Sequence, residues 1–188
     1  MITPLRRACL AGFLFAALSA AQTAAVDPAL LAKANAGDVK AQLAVGEAYE
    51  TSGTKSDNAE AAAWYRKAAD KNSIEAQIHL AVCYRDGRGV TRDMAEAANW
   101  YRKAAENGNE KAQGTLALLY SIGQGVPRSD SDAYYWFALA AAVKGPDQEK
   151  YAANRQSMAA RLTADDLADA QERVAKWIAA HPRPGAAE

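Results

Sequence analysis

Between Ala41 and Ala142 the apolar residues of this chain fall on a helical spacing that is written out three times. Ala41, Val45 and Tyr49 stand four apart, as do Ala76, Leu80 and Tyr84, and again Ala112, Leu116 and Tyr120. Side chains four apart stack on one face of an α-helix, so each triplet marks the core-facing stripe of a first helix. A second stripe follows in each copy: Ala61, Trp64, Tyr65 and Ala68, then Ala97, Trp100, Tyr101 and Ala104. Small residues three and four apart admit a neighbouring helix closely, while the aromatic ring supplies most of the buried area. Trp64, Trp100 and Trp136 stand 36 apart. A fixed period of this length marks stacked helix pairs, none of which buries its apolar face alone.

Polar punctuation agrees with the apolar stripes. Gly87 and Gly89, then Gly123 and Gly125, follow the first helices and suit the left-handed backbone that ends a helix; the first copy keeps only Gly53. The second helices are predicted to start at Asp57 with Glu60, Asp93 with Glu96, and Ser129 with Asp132, each an N-cap oxygen with an acid three residues on.

The flanks read as caps. Asp27-Pro28 opens a helix, since proline is tolerated at the first helical position. Ala29 to Ala36 followed by Gly37 aligns with the tail of a repeat, its large aromatics replaced by smaller residues. In the third copy Arg66-Lys67 and Arg102-Lys103 become Ala138-Leu139, and Asp70 and Glu106 become Ala142. A solvated face has turned apolar, so another element must cover it. The candidates are Gln148 to Leu162, with Tyr151, Ala152, Met158, Ala159 and Leu162, and then Thr163 to Ala180. The second opens on a Thr163 and Asp166 cap and carries Leu167, Ala170, Val174, Trp177 and Ile178 on one stripe. Pro182, Pro184 and Gly185 end the structure.

This pattern resembles the Sel1-like repeat, a relative of the tetratricopeptide repeat with a unit of similar length. The matching residues are the opening alanine, the first-helix tyrosine and the Gly-x-Gly-Val turns at Gly87-Arg88-Gly89-Val90 and Gly123-Gln124-Gly125-Val126. With them goes Ala-Ala-x-Trp-Tyr, complete at Ala97-Ala98-Asn99-Trp100-Tyr101 and approximated around Ala62-Ala63. The first copy lacks the second turn glycine and the third has Phe137 for tyrosine. The resemblance spans roughly Ala29 to Val143. It implies an all-α, right-handed α-α superhelix, and with the flanks read above the expected division is a half-repeat over 27–40, repeats over 41–75, 76–111 and 112–147, C-terminal capping helices over 148–181 and a disordered tail over 182–188.

Composition narrows the function classes. The chain has 188 residues, 22 of them basic and 22 acidic, with the two signs interleaved. No nucleic-acid partner is expected from that balance. The opening MITPLRRACLAGFLFAALSAAQTAA has two arginines, an apolar run too short for a comfortable membrane span, and small residues at Ser19-Ala20-Ala21, with Thr23-Ala24-Ala25 as a second choice. It reads as a secretory signal over 1–21, or up to 25, giving an exported, periplasmic or secreted product whose mature form does not span the membrane; an uncleaved anchor is the alternative. Cys9 lies too early for a lipoprotein acceptor. Its removal leaves Cys83 as the one thiol, so packing rather than a disulfide must stabilise the mature chain.

Candidate chemistry is sparse. His79 and Cys83 lie four apart on one helix, as a thiol–imidazole pair would. Yet Cys83 takes the place of Ala48 and Leu119 in the other copies, and His79 that of Ala44 and Thr115, so the cysteine reads as a small core residue. Two distant histidines and no paired cysteines leave no metal site. Asp130-Ser131-Asp132 lacks the glycine and distal glutamate of a calcium loop. No phosphate loop is present, and the phase of the tryptophans and tyrosines with the alanines makes them core rather than a stacking platform. No cofactor or catalytic residue is therefore expected.

A surface remains. The resemblance implies that first helices line a concave side where a protein or peptide partner docks. The positions carried over are Lys40, Glu47 and Glu50, then Glu75, Val82 and Arg85, then Lys111, Leu118 and Ser121. The reading is a non-catalytic interaction scaffold of unnamed partner and oligomeric state. An envelope enzyme acting on cell-wall material and a self-assembling structural protein are the rival readings.

Overall fold

A computed structural model of the chain describes residues 26–52 and 54–182. Among them are nine helices and no strand: α1 (Pro28–Asn35), α2 (Val39–Ser52), α3 (Lys55–Ala69), α4 (Ile74–Asp86), α5 (Met94–Glu106), α6 (Glu110–Ile122), α7 (Asp130–Ala141), α8 (Gln148–Ala159) and α9 (Ala164–Ala180). Residues 1–25, where a leader is expected, Gly53 and residues 183–188 lie outside the described residues. Helices α2/α3, α4/α5 and α6/α7 form three hairpins, and each second helix packs on the next first helix. The result is the all-α superhelical stack expected from the periodicity.

Local chemistry sets the helix ends. Asp93 caps α5 by accepting from the backbone N–H of Ala95 and Glu96, and Ser129 caps α7 through Asp132 N–H, as predicted. The first copy differs. There Thr54, not Asp57, is the cap, accepting from Asp57 N–H at 3.1 Å while its hydroxyl donates to the Asp57 carboxylate at 2.7 Å. Asp57 is thereby buried at the third position of the helix. The deviation is a reciprocal box in which the threonine, three residues before Asp57, takes the backbone role.

The tryptophans fill the space between helices: Trp64, Trp100 and Trp136 are 6%, 4% and 7% exposed. Around them Ala61, Ala68, Ala97, Ala104 and Ala133 are almost fully buried. Helix α1 covers the open end, where Ala34, Ala41, Val45 and Trp64 form a small cluster sealed by Leu30 and Leu31. Of each first-helix triplet the alanine and the aliphatic residue are buried, but Tyr49, Tyr84 and Tyr120 are only half-buried. Their bodies pack on the core, and Tyr84 and Tyr120 receive hydrogen bonds at their hydroxyls from Arg66 and Arg102 of the preceding hairpin.

A second inter-hairpin contact repeats with the period. Gln42, Gln77 and Gln113 are buried and donate their side-chain amides to the carbonyls of Ala34, Ala69 and Ala105, at 3.1, 3.4 and 3.1 Å. Those carbonyls sit in the last turn of the preceding helix, where each accepts one backbone N–H from three residues on, at Gly37, Asn72 and Gly108, and the glutamine amide adds a second bond. Gln148 does the same for Ala141 at 3.2 Å, so α8 stands where a fourth first helix would.

Helix α9 does not continue the pattern. It folds back onto α7, with Arg173 bonded to Asp132 at 2.8 Å and its guanidinium over the Tyr135 ring. Together with α8 it covers the apolar face of the third copy, burying Ala138 and Leu139. Two expected members stay outside: Ala142 is exposed at the C-cap of α7, and Ile178 is 43% exposed because the stripe on α9 runs through Leu167, Ala170, Val174 and Trp177 and leaves it at the edge.

The two glycines of each turn do different work. Gly87 ends α4 at φ 72°, where a Cβ would come no nearer than 3.3 Å to Arg92. Gly89 lies against the start of α3, and a Cβ there would sit 1.9 Å from the Asn58 carbonyl oxygen; Gly125 stands likewise 2.0 Å from that of Met94. Thermal unfolding should therefore separate them. Gly89→Ala is expected to cost about 2–4 kcal/mol, backbone strain plus a displaced hairpin, and Gly87→Ala about 1 kcal/mol. Equal losses would contradict the close approach.

Candidate interaction surface

The three first helices lie one after another, each pinned by its buried stripe, and their remaining faces carry the sequence-predicted positions. Lys40, Glu75 and Lys111 are exposed in the opening turns of α2, α4 and α6. Glu47 is exposed on α2, and Leu118, at 51%, on α6. Val82 is half-buried and packs on the core. Glu50, Arg85 and Ser121, which occupy equivalent places one period apart, are all partly buried and engaged.

Around Glu50 the structure assembles a polar cluster. The Tyr65 hydroxyl donates to one carboxylate oxygen and Arg88 to the other, each at 2.5 Å. His79 stacks on the Tyr65 ring at 4.6 Å, with Nδ1 3.3 Å from Glu50 and Nε2 3.9 Å from Glu47. Helices α2, α3 and α4 and the turn after α4 thus meet on one carboxylate. Burial and then the Glu50 hydrogen bond push the Tyr65 phenol well above its usual range.

One hairpin on, Arg85 takes the place of Glu50. It holds Asp86 through two bonds of 2.7 and 2.9 Å and donates to the Tyr101 hydroxyl at 3.3 Å. That pairing holds the Asp86 carboxyl below its usual range. Burial raises the Tyr101 phenol against the pull of Arg85.

In the third hairpin Phe137 has no hydroxyl to satisfy, and Ser121 turns its own hydroxyl back to the Leu118 carbonyl at 2.8 Å. Between α6 and α8 a recess of about 150 Å³ opens, lined by Gly114, Thr115, Leu118, Phe137, Lys150, Tyr151 and Asn154. On the second-helix side a larger open groove of about 670 Å³ runs past Glu106, Tyr135, Trp136 and Trp177. Its cations are engaged: Arg173 with Asp132, and Lys176 with Glu172 at 2.6 Å.

His79, Arg88, Tyr65 and Lys150 were not among the predicted surface residues. The signal was available in part, since Tyr65, Tyr101 and Phe137 share a register position, but nothing in the spacing says that the residues around them are exchanged as sets.

Cys83 is 3% exposed, and burial, reinforced by the nearby Glu50 charge, pushes its thiol up to about 11. A thiol so placed stays protonated near neutral pH and is a poor nucleophile. Its helical neighbour His79 is committed to Tyr65 and Glu50. Among the described residues no group of three metal-ligating side chains gathers, and no described helix is long and apolar enough to cross a membrane.

The model of the Sel1 repeat matches this chain three times, over residues 39–73, 74–109 and 111–142. Among solved structures, the chain is similar to a protective antigen of uropathogenic Escherichia coli displaying an SLR fold, at 34% identity and a TM-score of 0.70. That match covers 80% of this chain and 32% of the antigen, so the chain spans about a third of its length. A Sel1 repeat protein from Oxalobacter formigenes is 33% identical with a TM-score of 0.59, covering 69% of this chain and 96% of that one. No curated protein matches.

Two measurements follow from the burial pattern. At pH 8, iodoacetamide should leave the Cys83 peptide unmodified in the native chain and label it fully in denaturant; native labelling would contradict the buried thiol. Because folding raises the phenol pKa of Tyr65 and Tyr101 above the value of about 10 in an unfolded chain, unfolding releases protons only above that pH. The melting temperature should hold below pH 10 and fall as pH rises past it, less steeply in Tyr65→Phe.

Proposed function

The chain belongs to the Sel1 repeat family, whose members generally act as protein-interaction scaffolds, and from that premise we propose that it binds a segment of a protein partner along its first-helix face. The observation that carries this reading is an exposure the fold does not require. Of the three large hydrophobics left exposed among the described residues, Leu118 at 51% and Ile122 at 57% stand one turn apart on α6. In a stack that buries its indoles, such a pair suits an interface.

The charged positions support it. Glu47, about half exposed, lies beside Val82 and Leu118 in the repeat register, so a partner crossing from α2 to α6 meets an acid and then apolar residues. Charges at such a rim set register and encounter rate more than affinity. The repeat fold is typically non-catalytic, and the buried, protonated Cys83 supports that reading for this chain. We propose too that the mature chain works outside the cytoplasm, on the strength of the leader-like pattern at residues 1–25.

Affinity capture from an envelope extract should recover one stoichiometric partner. Glu47→Lys should weaken its binding about two- to fivefold, the scale of one exposed charge, with the melting temperature unchanged. Arg85 is the wrong probe, because its reversal also breaks the Asp86 and Tyr101 bonds. Partner binding indifferent to Glu47 and to Leu118→Glu would move the site elsewhere. Mass spectrometry of the mature protein should find a first residue at Gln22 or Val26; an intact Met1 in the envelope fraction would contradict cleavage.

A further inference from the structure

We infer that the recess between α6 and α8 is the anchor point of that face, and that it takes a large apolar side chain of a partner segment carrying an acidic residue next to it. The inference rests on the interaction reading above and names the chemistry of its partner.

The three hairpins place a second-helix ring at one station each: Tyr65, Tyr101 and Phe137. At the first the station is full, with His79 stacked on the ring and Glu47 and Glu50 around it. At the second, Tyr101 receives Arg85. At the third every one of these groups is exchanged. Leu118 replaces Glu47, Ser121 replaces Glu50, and α8 brings Lys150 to the place His79 holds two hairpins earlier, in the register set by Gln77 and Gln148. The Tyr151 ring of α8 covers Phe137 instead, and beside the two rings, under Leu118 and Lys150, a recess of about 150 Å³ stays open.

Its walls are Leu118, Phe137 and Tyr151, and its rim is Thr115, Lys150 and Asn154. The recess is half-open, with apolar walls and a polar rim, and has room for the end of one apolar side chain. A leucine, isoleucine or phenylalanine side chain therefore fits, and Ile122 extends the apolar surface past the rim. Lys150 is exposed and makes no ion pair among the described residues, so a carboxylate beside the anchor meets a free cation. The floor is already formed. The Tyr151 ring lies so close over Gly114 that a Cβ there would stand 2.2 Å from it, and a pre-organised recess costs little ordering on binding.

The test is selection of random twelve-residue peptides on the immobilised full chain, followed by titration of the selected peptides against variants. The expected yield is peptides with a large apolar residue adjoining aspartate or glutamate. Their affinity should fall about tenfold in Leu118→Glu and about fivefold in Lys150→Glu, both with unchanged melting temperature because both positions are exposed. Selection repeated on Lys150→Glu should exchange the acidic neighbour for a basic one, which a merely structural lysine would not do. Peptides that bind through Glu47 or the Trp177 groove, insensitive to Leu118 and Lys150, overturn the anchor while leaving an interaction protein. A yield of no binding peptide overturns both. A concentration-dependent dimer abolished by Leu118→Glu overturns the foreign partner in favour of a second copy.

Discussion

No hairpin of this chain can cover its own indole. Trp64, Trp100 and Trp136 lie where one helix pair meets its neighbours, and a lone pair of helices would leave each ring in water. Burying a large aromatic side chain contributes on the order of 2–3 kcal/mol, and losing one from a core costs about 3–5 kcal/mol, so each interface depends on its ring. The alanines around them let the backbones approach, and the glutamines add a polar tie by capping the preceding helix. Cations sit over two of the rings, Lys67 over Trp64 at 3.6 Å and Lys103 over Trp100 at 3.7 Å, and shield them from the side that faces solvent. The third ring has Leu139 at that place and is shielded by the capping helices.

The consequence is a division of labour between the two helices of a pair. The second helix is spent on packing, with Ala, Trp, Tyr and Ala all inward. The first helix needs only one stripe for the core and is free on the other side. Variation along the stack is accordingly concentrated there: a carboxylate cluster at the first hairpin, an arginine–aspartate pair at the second, an exposed leucine beside a small recess at the third. A single scaffold thus carries three different local chemistries at one repeated station.

The architecture was legible because periodicity reports burial. Alanine, tryptophan and glycine at fixed intervals give helix count, pairing and order without reference to any particular contact. The disappearance of Arg-Lys from the third copy foretold a covering element, and α8 and α9 supply it. Finer matters were less visible. Thr54 caps α3 in place of Asp57 because two polar candidates three residues apart fit the same signal, and only backbone geometry chooses between them. The glutamines stood in plain sight after each opening alanine, yet a buried amide on a helix terminus has no sequence spacing of its own. Ile178 shares the period of the α9 stripe and still stands outside, because stripe width, not stripe period, decides its burial. The polar cluster on Glu50 joins residues 15, 29 and 38 positions away, and no local pattern announces such a meeting.

The aromatic wall is structural, and the proposed interaction is therefore placed on the first-helix face. The direct measurement is fluorine NMR of the chain labelled with 5-fluorotryptophan, each of the four tryptophans assigned by substitution, with the solvent exchanged from H₂O to D₂O. Resonances of Trp64, Trp100 and Trp136 should not move, while that of the half-buried Trp177 should shift. A solvent shift at any of the first three would put that indole in water and contradict the packing from which everything else is argued.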